Sequence, residues 1–547
     1  MFAQQRKGSK DKGSKRARNT MSVFGVAAAM GFVLTGCGSN PPSANNSSGP
    51  GGAATAAGTN STLTVAMASD EGTLDPGVSM DNAAWKITYP AYERLVQYDG
   101  ANTTVKASLA TTWTVSPDGK TWTFTLKSGD KFPDGTPVDA NAVKFTFDRL
   151  LKINQGPAGD FGELQYVKVV SPTEVQFNLK TPFAAFLSSL AANYASIIDP
   201  QVMSHQISGD MGQSYLASHT MGSGPYELKD WKKGQYLELI ANPSYDGPKP
   251  SLTQVYFNII GDPSSQRLQL EKGQVDIAEG ITSDQIKKMT SETGITVLNK
   301  PSMLVDYVYI NTSKGNAVLQ NKLVRQAISY AVDYNGIIQS SQSGYATQMR
   351  GPIPTGLWGH DDSVTQYSYD ISKAKQLMAQ ANVKSATLTL LYSDHESWWP
   401  SEALAIQSNL AQIGITVKLQ QVQYATERAM LDKGQFDLSL GVWSPDYADP
   451  YMFMNFWFDS NNFGLAGDRA FYSNPQVDSL IRQAASISDQ AQRTKLYQEA
   501  QQIVVSDAPY VYLYQTNYLL PMTSHVQGFV YNPMLEGIYN LSQMSKS

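Results

Sequence analysis

Asp446 and Asp449 stand three residues apart in Trp443-Ser444-Pro445-Asp446-Tyr447-Ala448-Asp449-Pro450, the stretch whose residue types could do most chemistry. An ionised carboxylate only accepts hydrogen bonds and an ammonium group only donates them, so Asp446 could hold a ligand amine, with Trp443 and Tyr447 as pocket walls. A pair of carboxyls could also flank a glycosidic bond, as in a secreted hydrolase using Asp446 and Asp449, but their separation in space is not given by sequence. The plainest reading is that both acids cap a turn imposed by the two prolines.

Little else in the chain is arranged for catalysis. The five histidines are scattered, none in an H-E-x-x-H pattern, and His360-Asp361-Asp362 and His395-Glu396 read as loop residues. The single cysteine, Cys37, permits no intrachain disulfide and no cysteine-based metal site. Gly222-Ser223-Gly224 is not a nucleophile elbow, and there is no phosphate-binding or dinucleotide glycine loop. The expectation is a binder and not an enzyme, with no cofactor and no metal. The net charge of −5 becomes −11 once residues 1–36, with seven basic residues and one acid, are set aside. So acidic a body is unsuited to nucleic acid, whose phosphates demand a basic surface.

Stepping from residues to elements, Phe436–Val442 reads as a strand that delivers the Trp443 turn. Before it lie a strand at Leu388–Tyr392, a helix from Ser401 stopped by Gly414, and a strand at Ile415–Leu419. Strand, helix and strand with short joints make a parallel α/β unit, and such sheets bind ligands beyond the carboxyl ends of their strands. Lys373–Ala381 is an amphipathic helix. A first strand at Leu63–Met67 runs into the polar loop Ser69-Asp70-Glu71, and Trp85–Leu95 reads as helical. Asp118-Gly119 marks a hairpin whose second strand alternates Trp122, Phe124 and Leu126, and Asp139 caps a helix. Pro509–Tyr514 is a late strand expected to rejoin the first lobe. Trp85, Tyr194 and Trp398 could stack on a ligand, and Arg350 could take a ligand carboxylate with its planar fork.

The N-terminus reads as an address. A basic region to Arg18 precedes an apolar segment, Val23–Leu34, too short to span a bilayer, which ends in Leu34-Thr35-Gly36-Cys37. This resembles a bacterial lipobox. It implies a lipoprotein signal peptide over 1–36, lipidation of Cys37, and a membrane anchor on the extracytoplasmic face. Residues 37–61, rich in Gly, Ser, Asn and Ala, read as a flexible tether.

An ordered set of blocks runs through the rest. Leu109-Ala110…Trp113, Asp118-Gly119-Lys120, Trp122–Leu126 and Phe132-Pro133-Asp134-Gly135-Thr136-Pro137 come first. Gly222–Tyr226, Asn242-Pro243-Ser244-Tyr245 and Leu270…Gly273…Asp276 follow, then Val324–Ala331, Gly434-Gln435-Phe436-Asp437 and the Trp443–Pro450 turn. This order resembles the extracellular solute-binding proteins of family 5, the peptide-, nickel- and oligosaccharide-binding components of ABC importers. The resemblance implies an α/β, two-lobed, periplasmic-binding-protein-like fold of class II with an extra N-terminal subdomain and lobes built from discontinuous segments. It places lobe I at 62–86, 215–304 and 512–547, the accessory subdomain at 87–214, and lobe II at 305–511. It implies capture of di- or oligopeptides, with oligosaccharide as the alternative, by a monomer that delivers them to ABC permease subunits. In peptide-binding members the acid at the Asp446 position holds the α-ammonium group. Asp70 and Glu71 fall where members approach the ligand, and Asp306 falls near the second crossover between lobes.

Overall fold

The computed structural model describes residues 61–547 other than Ser291. The signal-peptide, Cys37 and tether expectations fall outside the described residues, apart from Ser61. Among the described residues no helix is long and apolar enough to cross a membrane.

The parallel unit forms as its alternation demands. Ala386–Ser393 and Ile415–Val422 pair in parallel from Ala386 opposite Ile415 to Ser393 opposite Val422, with the helix Trp399–Ala411 between them in sequence. The strand Leu438–Trp443 joins the other side of Ala386–Ser393, also in parallel. All three strands therefore end at one edge of the sheet, at Ser393, Val422 and Trp443. The helix begins at Trp399 and not at Ser401, because Pro400 fits the first turn, where its missing N–H costs nothing.

Leu438–Trp443 pairs antiparallel with Ile295–Ile310, and that strand pairs antiparallel with Tyr510–Thr523. These two long strands carry one sheet from end to end. Beyond them the order runs through Ile277–Ala278, Thr62–Met67, Gln254–Ile259, Tyr236–Ala241 and Tyr226–Lys232. Their ladder is continuous except at the middle. Pairing stops after Pro301 opposite Asn517 and resumes at Val305 opposite Gln515, with a second shift between Asp306 and Tyr307. Side chains replace the missing rungs: Gln515 donates to the carbonyls of Ser302, 2.5 Å, and Thr355, 3.0 Å, and Ser302 donates to the Thr516 carbonyl, 3.0 Å. Such a bulge is where a strand pair can bend with least loss of backbone hydrogen bonding.

A separate four-stranded antiparallel sheet is ordered Ala110–Val115, Thr121–Leu126, Glu174–Leu179, Leu164–Ser171. Trp122, Phe124 and Leu126 all face its core. The helix Ala140–Ile153, capped by Asp139, covers it with Val143, Phe147 and Leu150, and Phe147 meets Phe161 and Phe177 edge-on at 5.2 and 4.9 Å. Arg149 on this helix is fully buried and grips Asp75 with two bonds of 2.9 and 2.6 Å. That pair ties the small sheet to the loop following the first strand.

The first helix is shorter than its apolar pattern suggests. It spans Asn82–Ala91, capped by Asp81, and Tyr92 is already extended. Pro90 removes a rung near its end. Beyond it the backbone of Gly222 and Gly224 lies against the chain so closely that a Cβ would sit 2.2 Å from the Ala91 carbonyl oxygen and 2.5 Å from that of Pro90. The chain turns there, and Leu95 goes into the core beside the short strand Val96–Tyr98.

Candidate functional site

The Trp443 turn is held at its root by an ion pair. Arg493 donates from both terminal nitrogens to the two oxygens of Asp449, at 2.9 and 2.7 Å, with both side chains buried. Asp449 also accepts from the Tyr451 N–H at 2.9 Å and so starts the helix Tyr451–Phe458. The middle of the turn is pinned from two sides. The Ala448 N–H donates to the Tyr98 hydroxyl and its carbonyl accepts from the Trp358 indole, both at 3.3 Å. The hydrolase reading fails here, since both oxygens of Asp449 are committed to Arg493 and neither is free to act with Asp446.

Asp446 stands in contrast. Half-buried, it accepts no hydrogen bond and makes no ion pair with any described residue. It lines a cavity of about 250 Å³ with Asn82, Trp85, Met303, Leu304, Met534 and Glu536. Burial, and then the neighbouring Asp160 carboxylate, push its carboxyl up to about 8. Asp160 is itself raised by burial to about 6. The Tyr194 hydroxyl interacts with this carboxyl and opposes that rise, while the Trp443 indole N–H is buried without a hydrogen-bond partner. A second cavity, of about 310 Å³, shares Asn82 and Glu536 with the first and adds Ser69, Lys86, Glu279 and Tyr518. Lys86 is paired with Glu279, whose other oxygen accepts from the Tyr539 hydroxyl at 2.6 Å. Burial raises Glu536 to about 7 against the lowering influence of Lys86. The walls are thus acidic, partly aromatic and poorly satisfied. A site of that kind suits a cationic group entering with apolar bulk behind it.

The residues singled out from sequence fall into three places. Asp446 and Trp85 line the first cavity. Tyr194 sits behind it, edge-on to Trp85 at 5.9 Å, and Tyr447 is buried under the turn. Trp443 stacks on Phe456 at 4.9 Å. On the other side, Asp70 accepts from the Trp231 indole at 2.8 Å and from the Gly234 N–H at 2.5 Å. Glu71 beside it is buried with neither oxygen bonded, and burial, then Asp81, raise it to about 8. Asp306 and Trp398 come together elsewhere: the indoles of Trp398 and Trp399 donate to Asp306 Oδ2 at 3.0 and 3.4 Å, at the bulge between the two long strands. Trp398 lines a different, serine-rich cavity of about 440 Å³. Arg350 points away from all of these, donating to the Val364 carbonyl at 3.1 Å beside Asp362. Asp160, Asn82, Lys86, Glu279 and Glu536 escaped the sequence reading. Each is an ordinary polar residue in its local stretch and gains meaning only from neighbours far along the chain. Among the described residues no group of three or more His, Cys, Asp or Glu could hold a metal ion.

Comparison with known proteins gives consistent matches. Residues 104–464 match the family model described as bacterial extracellular solute-binding proteins, family 5 Middle. The chain is 49% identical over 490 residues to the probable D,D-dipeptide-binding periplasmic protein DdpA of Escherichia coli (strain K12), covering 88% of this chain and 94% of that protein. It is 28% identical over 482 residues to the glutathione-binding protein GsiB of Escherichia coli O1:K1 / APEC, covering 85% and 91%. Among solved structures it resembles DppA from Helicobacter pylori in complex with the peptide STSA, with a TM-score of 0.74, 26% identity and coverage of 89% and 98%.

Proposed function

Because the chain belongs to the bacterial extracellular solute-binding proteins of family 5, we propose that its particular solute is a short peptide with a free amino terminus, a D,D-dipeptide before others. The chain is a binding component of an ABC importer and not an enzyme. The observation that carries the peptide reading is the Asp446 carboxyl. It faces a cavity with no partner of its own, on a turn whose other acid is locked in place. An ammonium group supplies the donors it lacks, and a charge-assisted bond of that kind contributes about 1.5–3 kcal/mol. Trp85 and Met534 offer apolar surface to the side chains. The 49% identity to a protein named for D,D-dipeptides supports that stereochemistry.

The two lobes are 62–86 with 215–304 and 512–547, and 305–511, with 87–214 as the accessory part of the first. The bulge at Ser302–Leu304 supports a bend at that boundary. Closure would let a permease tell loaded protein from empty, since only differential contact with the closed state shifts such an equilibrium. The mature chain is a monomer, anchored through lipid on Cys37 and tethered by residues up to 61. Mass spectrometry of protein purified from membranes tests the anchor, a thioether-linked diacylglyceryl group on Cys37 being expected.

The test of the ligand is calorimetric titration with D-alanyl-D-alanine, L-alanyl-L-alanine, their N-acetylated forms and a linear oligosaccharide. Binding of the free dipeptides, with N-acetylation abolishing it, is expected. Equal affinity for the acetylated forms, or binding of the oligosaccharide alone, overturns the reading.

A further inference from the structure

Asp160 reaches the Asp446 turn from a distant part of the chain, and its route there is well defined. The helix Ala140–Ile153 ends at Asn154 in the left-handed region, φ +52°. Gly156 follows, packed so tightly that a Cβ would lie 2.6 Å from the Val78 carbonyl oxygen. A single 3-10 turn, Gly156–Gly159, then presents Asp160, whose N–H donates to the Pro157 carbonyl at 3.1 Å. The backbone thus fixes a buried acid whose one polar neighbour is the Tyr194 hydroxyl, close enough to a second acid, Asp446, to raise it.

Two neighbouring, largely buried carboxylates do not both stay ionised at neutral pH without a cation between them. The groups facing them offer none. Asp446 is flanked by the phenols of Tyr98, Tyr194 and Tyr447, and Asp160 by those of Tyr194, Tyr447 and Tyr451. Glu536 lines the same cavity and adds no positive charge. Arg94 lies behind Tyr98, its guanidinium held over the Tyr89 ring at 3.6 Å. Lys86 lines the adjoining cavity and is taken by Glu279.

We propose that Asp160 and Asp446 form a two-carboxyl seat that keeps one proton when empty and exchanges it for the ligand's ammonium group, making Asp160 a positioning residue that adds to burial in holding that proton on Asp446. The exchange balances. Asp446 gives its carboxyl proton to solvent, the ligand keeps its own three N–H bonds, and the seat carries one net negative charge before and after. This explains how an acid-rich pocket stays folded without a bound cation: its charge is discharged by the proton until an amine arrives. Peptide capture therefore weakens as the medium acidifies. With one proton released per amine bound, affinity falls about tenfold for each pH unit below the range where Asp446 titrates. This rests on the peptide reading above.

The test is calorimetric titration of D-alanyl-D-alanine at pH 6, 7 and 9, at each pH in two buffers that hold that pH and differ in ionisation enthalpy. The dependence of the observed enthalpy on buffer ionisation counts the protons released. Close to one proton released at pH 6 and 7 is expected, reversing to uptake at pH 9, where the free dipeptide's own amine, of ordinary pKa about 8, is mostly neutral and must gain a proton to bind as ammonium. In Asp160→Asn the proton count at pH 7 falls, and the loss of affinity on acidification begins at lower pH, with affinity at pH 6 kept or improved. Binding with no buffer dependence in the wild-type chain overturns the seat, and that count stands whether or not the variant folds. A folded Asp160→Asn that binds more weakly at every pH with its proton count intact overturns the role of Asp160. Failure of every free dipeptide to bind is a different result, and it sinks the peptide reading itself.

Discussion

Asp446 and Asp449 share one turn, yet their surroundings are opposites. Asp449 meets Arg493 in a two-pronged, buried pair and also accepts from the N–H of Tyr451 at the start of a helix. Asp446 meets a cavity, a second acid and three phenols, and bonds to none of the described residues. A fully satisfied buried charge holds shape. An unsatisfied one costs stability, and a fold keeps it where a ligand completes it. The lesson is that acid type and spacing do not separate the two roles; partner count does.

Breaking the satisfied side should have the larger effect on folding. Asp449→Ala leaves Arg493 buried and unpaired, and should cost about 3–5 kcal/mol, read as a lowered denaturation midpoint at constant slope. A loss under 1 kcal/mol would show that the pair does not hold the turn. Asp446→Asn should do the reverse. Dipeptide affinity drops at least about tenfold, or 1.4 kcal/mol, while stability at neutral pH is kept. Unchanged affinity by calorimetry would remove Asp446 from the amine site.

Glu71 sharpens the contrast, since it is a second buried acid with neither oxygen bonded. Its folded-state value of about 8 lies above that of an unfolded chain, so the folded state holds the extra proton between about pH 4 and 8. Its cost is absent at pH 4, grows as pH rises through that window and is complete above pH 8. Glu71→Gln should therefore stabilise the empty protein at pH 8–9, on the order of 1–3 kcal/mol, and leave it unchanged near pH 4. A melting temperature shifted equally at both pH values would contradict the burial of an uncompensated carboxyl. Least affected should be Trp358→Phe, which removes one bond of 3.3 Å to the Ala448 carbonyl. We expect a loss of about 1 kcal/mol or less, and a dipeptide affinity within about threefold of the wild type.

Much of the scaffold was legible because it is local. The alternation of Trp122, Phe124 and Leu126, the cap at Asp139 and the strand–helix–strand unit before Trp443 each follow from period and boundary residues. The end of the first helix was not, because the glycine backbone that packs against Pro90–Tyr92 comes some 130 residues later. The site was half legible. A turn following a parallel strand points to a cleft edge, and so to Asp446. Its electrostatic partner Asp160 and the lock between Asp449 and Arg493 are tertiary. No periodicity in the residues around 160 or 493 announces them. Arg350 shows the converse: a planar, bidentate side chain is only an anchor where the fold aims it at a cavity, and here it is spent on a loop.

The sheet's middle strand has a consequence for how the molecule comes into being. Tyr510–Thr523 pairs with strands on both sides of the bulge, yet it is made some 214 residues after the strand it zips to, counted from Ser302 to Thr516. A growing chain must hold open the slot beside Ile295–Ile310 until residue 523 has emerged. Its completion is thus governed by chain length rather than by either half alone, and such non-local pairing is intrinsically late. Nascent chains arrested before residue 510 should be cut readily by protease, and resistance should appear abruptly once Thr523 is free.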